Sequence, residues 1–324
     1  MIITGRKVVA LAGGVGGAKL VDGLAQCLPA ENLTAIVNIG DDFDHFGLKI
    51  CPDLDTVCYT LAGRANPKTG WGLVDETWNA LTQISSLGGP DWFRLGDRDL
   101  GTHLERTRRL KAGETLSQIT RYFCKEWKVG ITVLPVSDDS VPTWVYTEIG
   151  EMTFQEYFVL HQCRPAVKGF RFEGREQAHP APRVLEALAQ ADVIVFCPSN
   201  PWVSLDPILA IPSIRQEVEK HTVFAVSPII GDKTVKGPAA KMYAELGIQP
   251  SAYSVAAHYR DLLAGFVFDR LDVEQTEAIS TLDIHPYCTD TIMQTPDDRR
   301  RLAEEVLAFS LSIIHDSLET RPLG

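Results

Sequence analysis

The first residues able to do chemistry follow an apolar run. Val8-Val9-Ala10-Leu11-Ala12 leads straight into Gly13-Gly14-Val15-Gly16-Gly17-Ala18-Lys19-Leu20. A buried strand feeding a glycine turn and then a helix suits phosphate binding: glycine lets the backbone approach, and free N–H groups with the helix dipole favour an anion. Gly13, Gly14, Gly16 and Gly17 are therefore expected against a phosphate, with Lys19 as counter-charge. Two familiar templates do not fit. A P-loop needs Gly-Lys followed by Ser or Thr, whereas Lys19 stands between Ala18 and Leu20, in the place where a dinucleotide fingerprint needs its third glycine. That lysine suits a diphosphate and weakens a nicotinamide-oxidoreductase reading.

A second cluster is acidic: Asn38-Ile39-Gly40-Asp41-Asp42-Phe43-Asp44-His45, then Cys51-Pro52-Asp53-Leu54-Asp55-Thr56. In an open α/β sheet the loops after the first two strands emerge at one carboxyl edge, which gathers Asp41, Asp42, Asp53 and Asp55 near the glycine turn. Two unpaired carboxylates about 4 Å apart repel by roughly 4 kcal/mol at an effective dielectric of about 20. A divalent ion reverses that sign, and hard Mg²⁺ favours one or two carboxylates plus phosphate oxygens. The competing reading makes Asp53 a helix cap and Asp41 and Asp42 turn residues.

Further polar groups follow in Gly96-Asp97-Arg98-Asp99-Leu100-Gly101-Thr102-His103. Asp99 is the expected N-cap of a helix carrying Thr102, His103 and Arg106 on adjacent turns, with His103 a candidate base. Pro198-Ser199-Asn200-Pro201 and Ser227-Pro228-Ile229-Ile230-Gly231, the latter followed by Lys236-Gly237-Pro238, again sit after apolar runs. There Ser199, Asn200 and Ser227 offer small polar groups to a nucleotide. Trp71, Trp78 and Trp92 either pack in a core or stack on a flat heterocycle.

The elements that position these residues are legible as short Val/Ile/Phe-rich runs: Lys7–Ala12, Leu33–Ile39, Val129–Pro135, Asp192–Cys197, Thr222–Ser227 and Gly265–Leu271. Helical periodicity separates many of them, over Ala18–Leu28, Ala181–Ala191, Ile208–Lys220 and Pro238–Leu246. The alternation predicts an α/β fold, a doubly wound and mostly parallel sheet. Residues 71–128 break the rhythm with successive helices (Val74–Leu87, Leu100–Lys111, Leu116–Lys125), a helical insertion in one elaborated domain spanning residues 1–324. A hairpin over Val145–Phe154 turning at Gly150 and an amphipathic helix over Pro296–Leu318 complete the expectation.

Composition sets limits. Hydrophobic residues are 45% and charged residues 23%, ordinary for a globular chain, and 31 Lys+Arg against 42 Asp+Glu give a net charge of −11. So acidic a surface argues against nucleic acid and anionic membranes, which need basic surface. No apolar run is long enough to span a bilayer. Seven irregularly spaced cysteines without a Cys-x-x-Cys pair, and a start (Met1–Lys7) unlike a signal peptide, fit reduced thiols in a cytoplasmic protein.

Taken in order, the glycine turn, Val37-Asn38-Ile39-Gly40-Asp41-Asp42, Cys51-Pro52-Asp53-Leu54-Asp55-Thr56, Trp71-Gly72, Asp91-Trp92-Phe93-Arg94-Leu95-Gly96-Asp97-Arg98-Asp99, Pro135-Val136-Ser137-Asp138-Asp139, Pro198-Ser199-Asn200-Pro201 and Ser227-Pro228-Ile229-Ile230-Gly231 resemble one family across nearly the whole chain. It is the 2-phospho-L-lactate transferases of deazaflavin coenzyme F-420 biosynthesis. The resemblance implies a Rossmann-like homodimer that moves a phospho-three-carbon acid from a guanosine diphospho donor to the ribityl hydroxyl of the deazaflavin FO, releasing GMP. The acid is lactyl, enolpyruvyl or glyceryl, three options the family name leaves open. It implies Mg²⁺ held by Asp42, Asp53 and Asp55, with Asp53 or Asp55 accepting the hydroxyl proton. The donor would lie on the glycine turn, Lys19, Ser199, Asn200 and Ser227, and FO against the insertion with Asp97, Asp99, Thr102 and His103. The alternative is a non-catalytic nucleotide-sugar-binding regulator, which needs the glycine turn but no FO pocket.

Overall fold

A computed structural model describes residues 5–234 and 237–319; Met1–Thr4 and Lys236, weighed above, lie outside the described residues. Seven strands form the main sheet: β1 (Val8–Ala12), β2 (Leu33–Val37), β3 (Thr132–Pro135), β4 (Val193–Phe196), β5 (Val223–Val226), β6 (Leu263–Asp269) and β7 (His285–Thr289). Every pairing is parallel, in the order β7-β6-β5-β4-β1-β2-β3. The fold is thus the doubly wound α/β class expected. The central strands β1 and β4 are unbroken apolar runs, buried throughout because helices cover both faces. Chain order reverses between β1 and β4, so the loops after those two strands diverge and open a crevice at their carboxyl ends. That is where the Gly13 and Ser199 segments emerge.

Helix α1 (Gly14–Cys27) follows β1 and packs against α2 (Pro52–Leu61) and the C-terminal helix Pro296–Glu319. α1 starts one turn earlier than expected, inside the glycines. Between α2 and β3 come α3 (Asn79–Ser86), α4 (Asp97–Lys111) and α5 (Leu116–Glu126), three helices as expected, although the first starts at Asn79 and not at Val74. The expected helix 208–220 is split into Asp206–Leu209 and Pro212–Val218, since Pro212 lacks the N–H to continue the first. The expected hairpin is extended into a three-stranded antiparallel sheet. Thr143–Thr147 pairs with Gly150–Thr153 and, on its other edge, with Val167–Phe172. Its inner face, with Val145, Met152 and Val167, closes over Val203 and Met242 as a second apolar cluster. No helix is long and apolar enough to cross a membrane among the described residues. All seven cysteines are free thiols.

Candidate functional site

The crevice is a cleft of about 730 Å³. One wall is the turn after β1. Gly14 has φ +64, a left-handed conformation that glycine alone takes without cost, and its N–H donates to Asp53 Oδ1 at 2.6 Å. Gly13 N–H donates to Ser199 Oγ at 3.0 Å, and Ser199 Oγ–H returns a bond to Gly13 O at 2.8 Å, tying the two switch-point loops together. Gly16 and Gly17 lie in the first turn of α1, where a Cβ would stand 2.3 Å from Pro198 O and 2.5 Å from Ser199 Oγ. Both glycines are thus demanded by loop-to-helix packing. The N–H groups of the first helical turn, Val15 and Gly16 included, have no intrahelical acceptor, and both residues line the cleft.

Asp53 is the second residue of α2 and is buried. Its Oδ2 accepts Asn38 Nδ2–H at 2.9 Å, while Asn38 Oδ1 accepts Gly40 N–H at 2.8 Å. Burial pushes the Asp53 carboxyl up to about 6 although Asn38, Gly14 and Ser204 bond it. Beside it, Asp41 is 5% exposed; Gln155 Nε2 donates to its Oδ2 at 3.1 Å, and its Oδ1 has no partner. Burial, then the Asp53 and Asp42 charges, hold the Asp41 carboxyl well above the usual range. Asp42, also buried, faces Lys49, whose Nζ stands 4.0 Å from its Oδ2, and burial pushes it up to about 7. Asp41 and Asp53 line the cleft and Asp42 does not.

Deeper in the cleft lies a buried charge network. Arg106 forks onto both oxygens of Asp55, with its Nη1 at 3.1 Å from Oδ2, and the same Nη1 stands 3.1 Å from His103 Nδ1. His103 Nε2 is 3.4 Å from Asp99 Oδ1, which also accepts the Tyr59 hydroxyl at 2.7 Å. Burial raises the Asp55 carboxyl, with Arg106 opposing; in Asp99, burial is outweighed by His103 and Tyr59, and the carboxyl sits below its ordinary value. One oxygen each of Asp55 and Asp99 and a His103 nitrogen lie within 4.8 Å of one another, a metal-like grouping. The Arg106 guanidinium already fills Asp55 and donates into His103, so a cation there would meet a fixed positive charge.

A family model described as 2-phospho-L-lactate transferase CofD matches residues 8–307. The chain belongs to this family. It is accordingly a transferase of coenzyme F-420 biosynthesis. A phosphoenolpyruvate transferase of Streptomyces griseus is 44% identical over 312 residues, covering 94% of this chain and 98% of its own. Its counterpart in Streptomyces coelicolor is 42% identical with the same coverage, and that of Mycobacterium tuberculosis 41% identical over 81% of this chain and 86% of its own. A Bacillus halodurans protein of the UPF0052 family has a similar solved structure, with TM-score 0.60 and 16% identity over 93% of this chain and 98% of that one. That likeness is one of fold.

In this CofD-family chain the remaining expected residues fall in distinct places. Lys19 lines the cleft and donates to Met293 O. Asn200 and Ser227 also line it. Asn200 Oδ1 accepts Trp202 N–H at 3.0 Å, and Ser227 Oγ–H donates to Ile229 O at 2.8 Å, so both brace their own loops. Asp99 is not the N-cap of α4. Gly96 is, and the Glu76 carboxylate accepts the N–H groups of Arg98 and Asp99, taking over that capping role. Asp97 faces away: the Thr77 hydroxyl, then Ala80 N–H at 2.9 Å and Asn79 N–H at 3.0 Å, donate to it and hold its carboxyl down to about 2. Thr102 is half-buried on α4 and lies outside the cleft lining. Trp71 and Trp92 line the cleft; Trp78 instead lies under Arg94, 4.4 Å from guanidinium to ring.

Tyr59 and Gln155 carry bonds of the site that the sequence does not single out, and Asn38 enters there only as the start of the acidic run. Asp41 reads as part of the acidic group and Arg106 as a residue on the helix of His103, neither with the partner it has here. Asp41 had a signal, its place in the acidic loop. Gln155 had none, because it meets Asp41 across 114 positions of chain.

Proposed function

We propose that this chain transfers a phosphoenolpyruvyl group from its guanosine diphospho conjugate to the ribityl hydroxyl of FO, releasing GMP. The observation that carries the reading is the one cleft joining the β1 turn to an aromatic wall. At one end, the first-turn N–H groups of α1, with Lys19 nearby, suit a diphosphate. At the other, Trp71, Trp92, Phe93 and the stacked Phe154–Phe158 pair offer flat apolar surface to a deazaflavin. The choice of enolpyruvyl is supported by the names of the relatives at 42–44% identity.

The donor set also favours a hard cation, with Mg²⁺ the natural candidate. Asp41 keeps a buried oxygen without a partner, and the Asp53 charge beside it raises its proton affinity, a repulsion that a divalent ion would relieve. Asp41 and Asp53 would hold it, in place of the set Asp42, Asp53 and Asp55: Asp55 is committed to Arg106, and Asp42, whose Oδ1 is likewise without a partner, does not line the cleft. When bound, the ion supplies charge neutralisation on the diphosphate. The chain itself positions the donor phosphates at α1, excludes water behind the aromatic wall and aligns the hydroxyl. The protein would act as a homodimer in the cytoplasm, free of nucleic acid and membrane.

The test is the mass of the product formed from FO with each of the lactyl, enolpyruvyl and glyceryl donors. Enolpyruvyl product formed fastest, and lost with a chelator, is expected. A lactyl or glyceryl preference overturns the donor assignment, and chelator-insensitive turnover overturns the metal.

A further inference from the structure

Among the carboxylates lining the cleft, Asp99 differs in how its oxygens are used. Asp53 spends one oxygen on Gly14 and the other on Asn38, and Asp55 spends both on Arg106. Asp41 keeps its unpartnered oxygen buried, where the cation is assigned. In Asp99 the protein's hydrogen bond falls on Oδ1, from the Tyr59 hydroxyl at 2.7 Å, and His103 Nε2 stands 3.4 Å from the same oxygen without a hydrogen bond. Among the described residues no donor reaches Oδ2. The side chain is 13% exposed, and the residue lines the cleft.

The group is also held in place from behind. Arg106 is a donor only, so the 3.1 Å contact makes His103 Nδ1 an acceptor and leaves the ring proton on Nε2, facing Asp99. The Asp99 backbone N–H is fixed by Glu76 Oε1 at 2.8 Å. The carboxylate is thus oriented at both its backbone and its Oδ1, with Oδ2 turned to whatever occupies the cleft.

We propose that Asp99 Oδ2 accepts the hydrogen bond of the acceptor's attacking hydroxyl and takes its proton. The ligand class is an alcohol on a polyol side chain. The hydroxyl oxygen bonds the phosphorus that carries the three-carbon acid. The bridging phosphorus–oxygen bond breaks, GMP leaves with that electron pair, and the hydroxyl proton passes to Asp99 Oδ2 and then to solvent. Asp99 is here a catalytic residue, while Tyr59, His103 and Arg106 are positioning residues. The inference rests on the transferase reading above and gives that reaction its proton acceptor.

Asp99→Asn is the discriminating variant, because it keeps an oxygen for Tyr59 and His103 and changes Oδ2 alone to a donor. The expected result is a fall in kcat of about 100-fold or more, with FO affinity, read from its own fluorescence, and GDP affinity within about threefold of wild type. A folded variant losing less than about tenfold in kcat overturns the proposal. Should Asp99→Asn fail to fold, Tyr59→Phe reads the same carboxylate: kcat should fall with the KM for FO unchanged, and an unchanged kcat overturns the proposal. Wild-type protein giving no product from FO with any donor would overturn the transferase reading itself, and this assignment with it.

Discussion

Asp53 Oδ1 accepts the Gly14 N–H at 2.6 Å, so a carboxylate from the helix after β2 sits at the N-terminus of the helix after β1. This is where a helix dipole offers an anion site, and Asp53 occupies part of it from within the chain. A buried carboxylate placed there is stabilised by the helix and by Asn38, and still has its proton affinity raised by burial.

Asp53→Asn removes that charge and also disturbs a fixed amide. Asn38 cannot flip to meet the new NH₂, because its Oδ1 is held by Gly40 N–H at 2.8 Å. Two donors then face each other in a buried place, which costs about 1–3 kcal/mol. Urea unfolding should show that loss, and product formation should be abolished. Full activity in this variant would refute the role given to Asp53.

The acidic loop makes the metal-free protein pH-sensitive. Asp42 is pushed by burial from 3.8 to about 7, so the native state holds a proton that the unfolded chain has released across that window. Its stabilising contribution is fully present below about pH 4 and lost as pH rises through about 7, by on the order of 4 kcal/mol. Asp41 and Asp53 are shifted the same way. Urea midpoints measured in chelator should fall between pH 5 and 8, and Asp42→Asn should flatten the slope. A midpoint independent of pH would contradict the burial of these carboxyls.

Arg106→Met tests the deeper network. The side chain is 3% exposed and its guanidinium is the cation forked onto Asp55. Removing it leaves Asp55 and Asp99 as uncompensated buried charges, at a cost of about 3–5 kcal/mol. The double variant Arg106→Met with Asp55→Leu should recover much of that loss, since the pair is then replaced by apolar volume. A single variant as stable as wild type would mean that water already screens the site.

What could be read from the sequence follows from how local each signal is. Val8–Ala12 with its glycines carries its structure within a few residues and stands where expected, whereas α2 starts at Pro52 with Cys51 as its N-cap, so Asp53 lies inside the helix and is not its cap. β7 was missed because His285-Pro286-Tyr287-Cys288-Thr289 is half-buried, lacks an apolar run and contains a proline, which an edge strand tolerates. The Asp55–Arg106 pair joins positions 51 apart, and nothing in either neighbourhood names the other. Asp99 was read as a cap because an acid at a helix start usually is one, but Glu76, 23 positions earlier, accepts the Asp99 N–H.

The glycines of the turn separate by what surrounds them. Gly16→Ala would set a Cβ 2.3 Å from Pro198 O, a backbone atom that cannot rotate away, and should destabilise by about 1–3 kcal/mol. Gly101, exposed within α4, has nothing within 4 Å of the same added atom. Gly101→Ala should stabilise by about 0.4–1 kcal/mol through helix propensity and a less disordered unfolded chain. Thermal melts of the two variants should therefore move in opposite directions.

Trp71 separates packing from binding, because it is 44% exposed and yet lines the cleft. With nearly half of its surface in solvent, Trp71 contributes less to folding than a core tryptophan, so Trp71→Ala should lower the melting temperature only modestly. If the indole forms part of the wall on which the deazaflavin lies, losing that ring contact costs about 0.5–1.5 kcal/mol, a rise of roughly two- to tenfold in the FO dissociation constant. Trp92 is the contrasting case. It packs on His45 at 5.1 Å and Phe93 at 5.7 Å between ring centroids, so its truncation should lower both the melting temperature and FO affinity. FO fluorescence titrations paired with melts on both variants distinguish the two. Unchanged FO affinity in Trp71→Ala would move the chromophore to the Phe154–Phe158 side of the cleft.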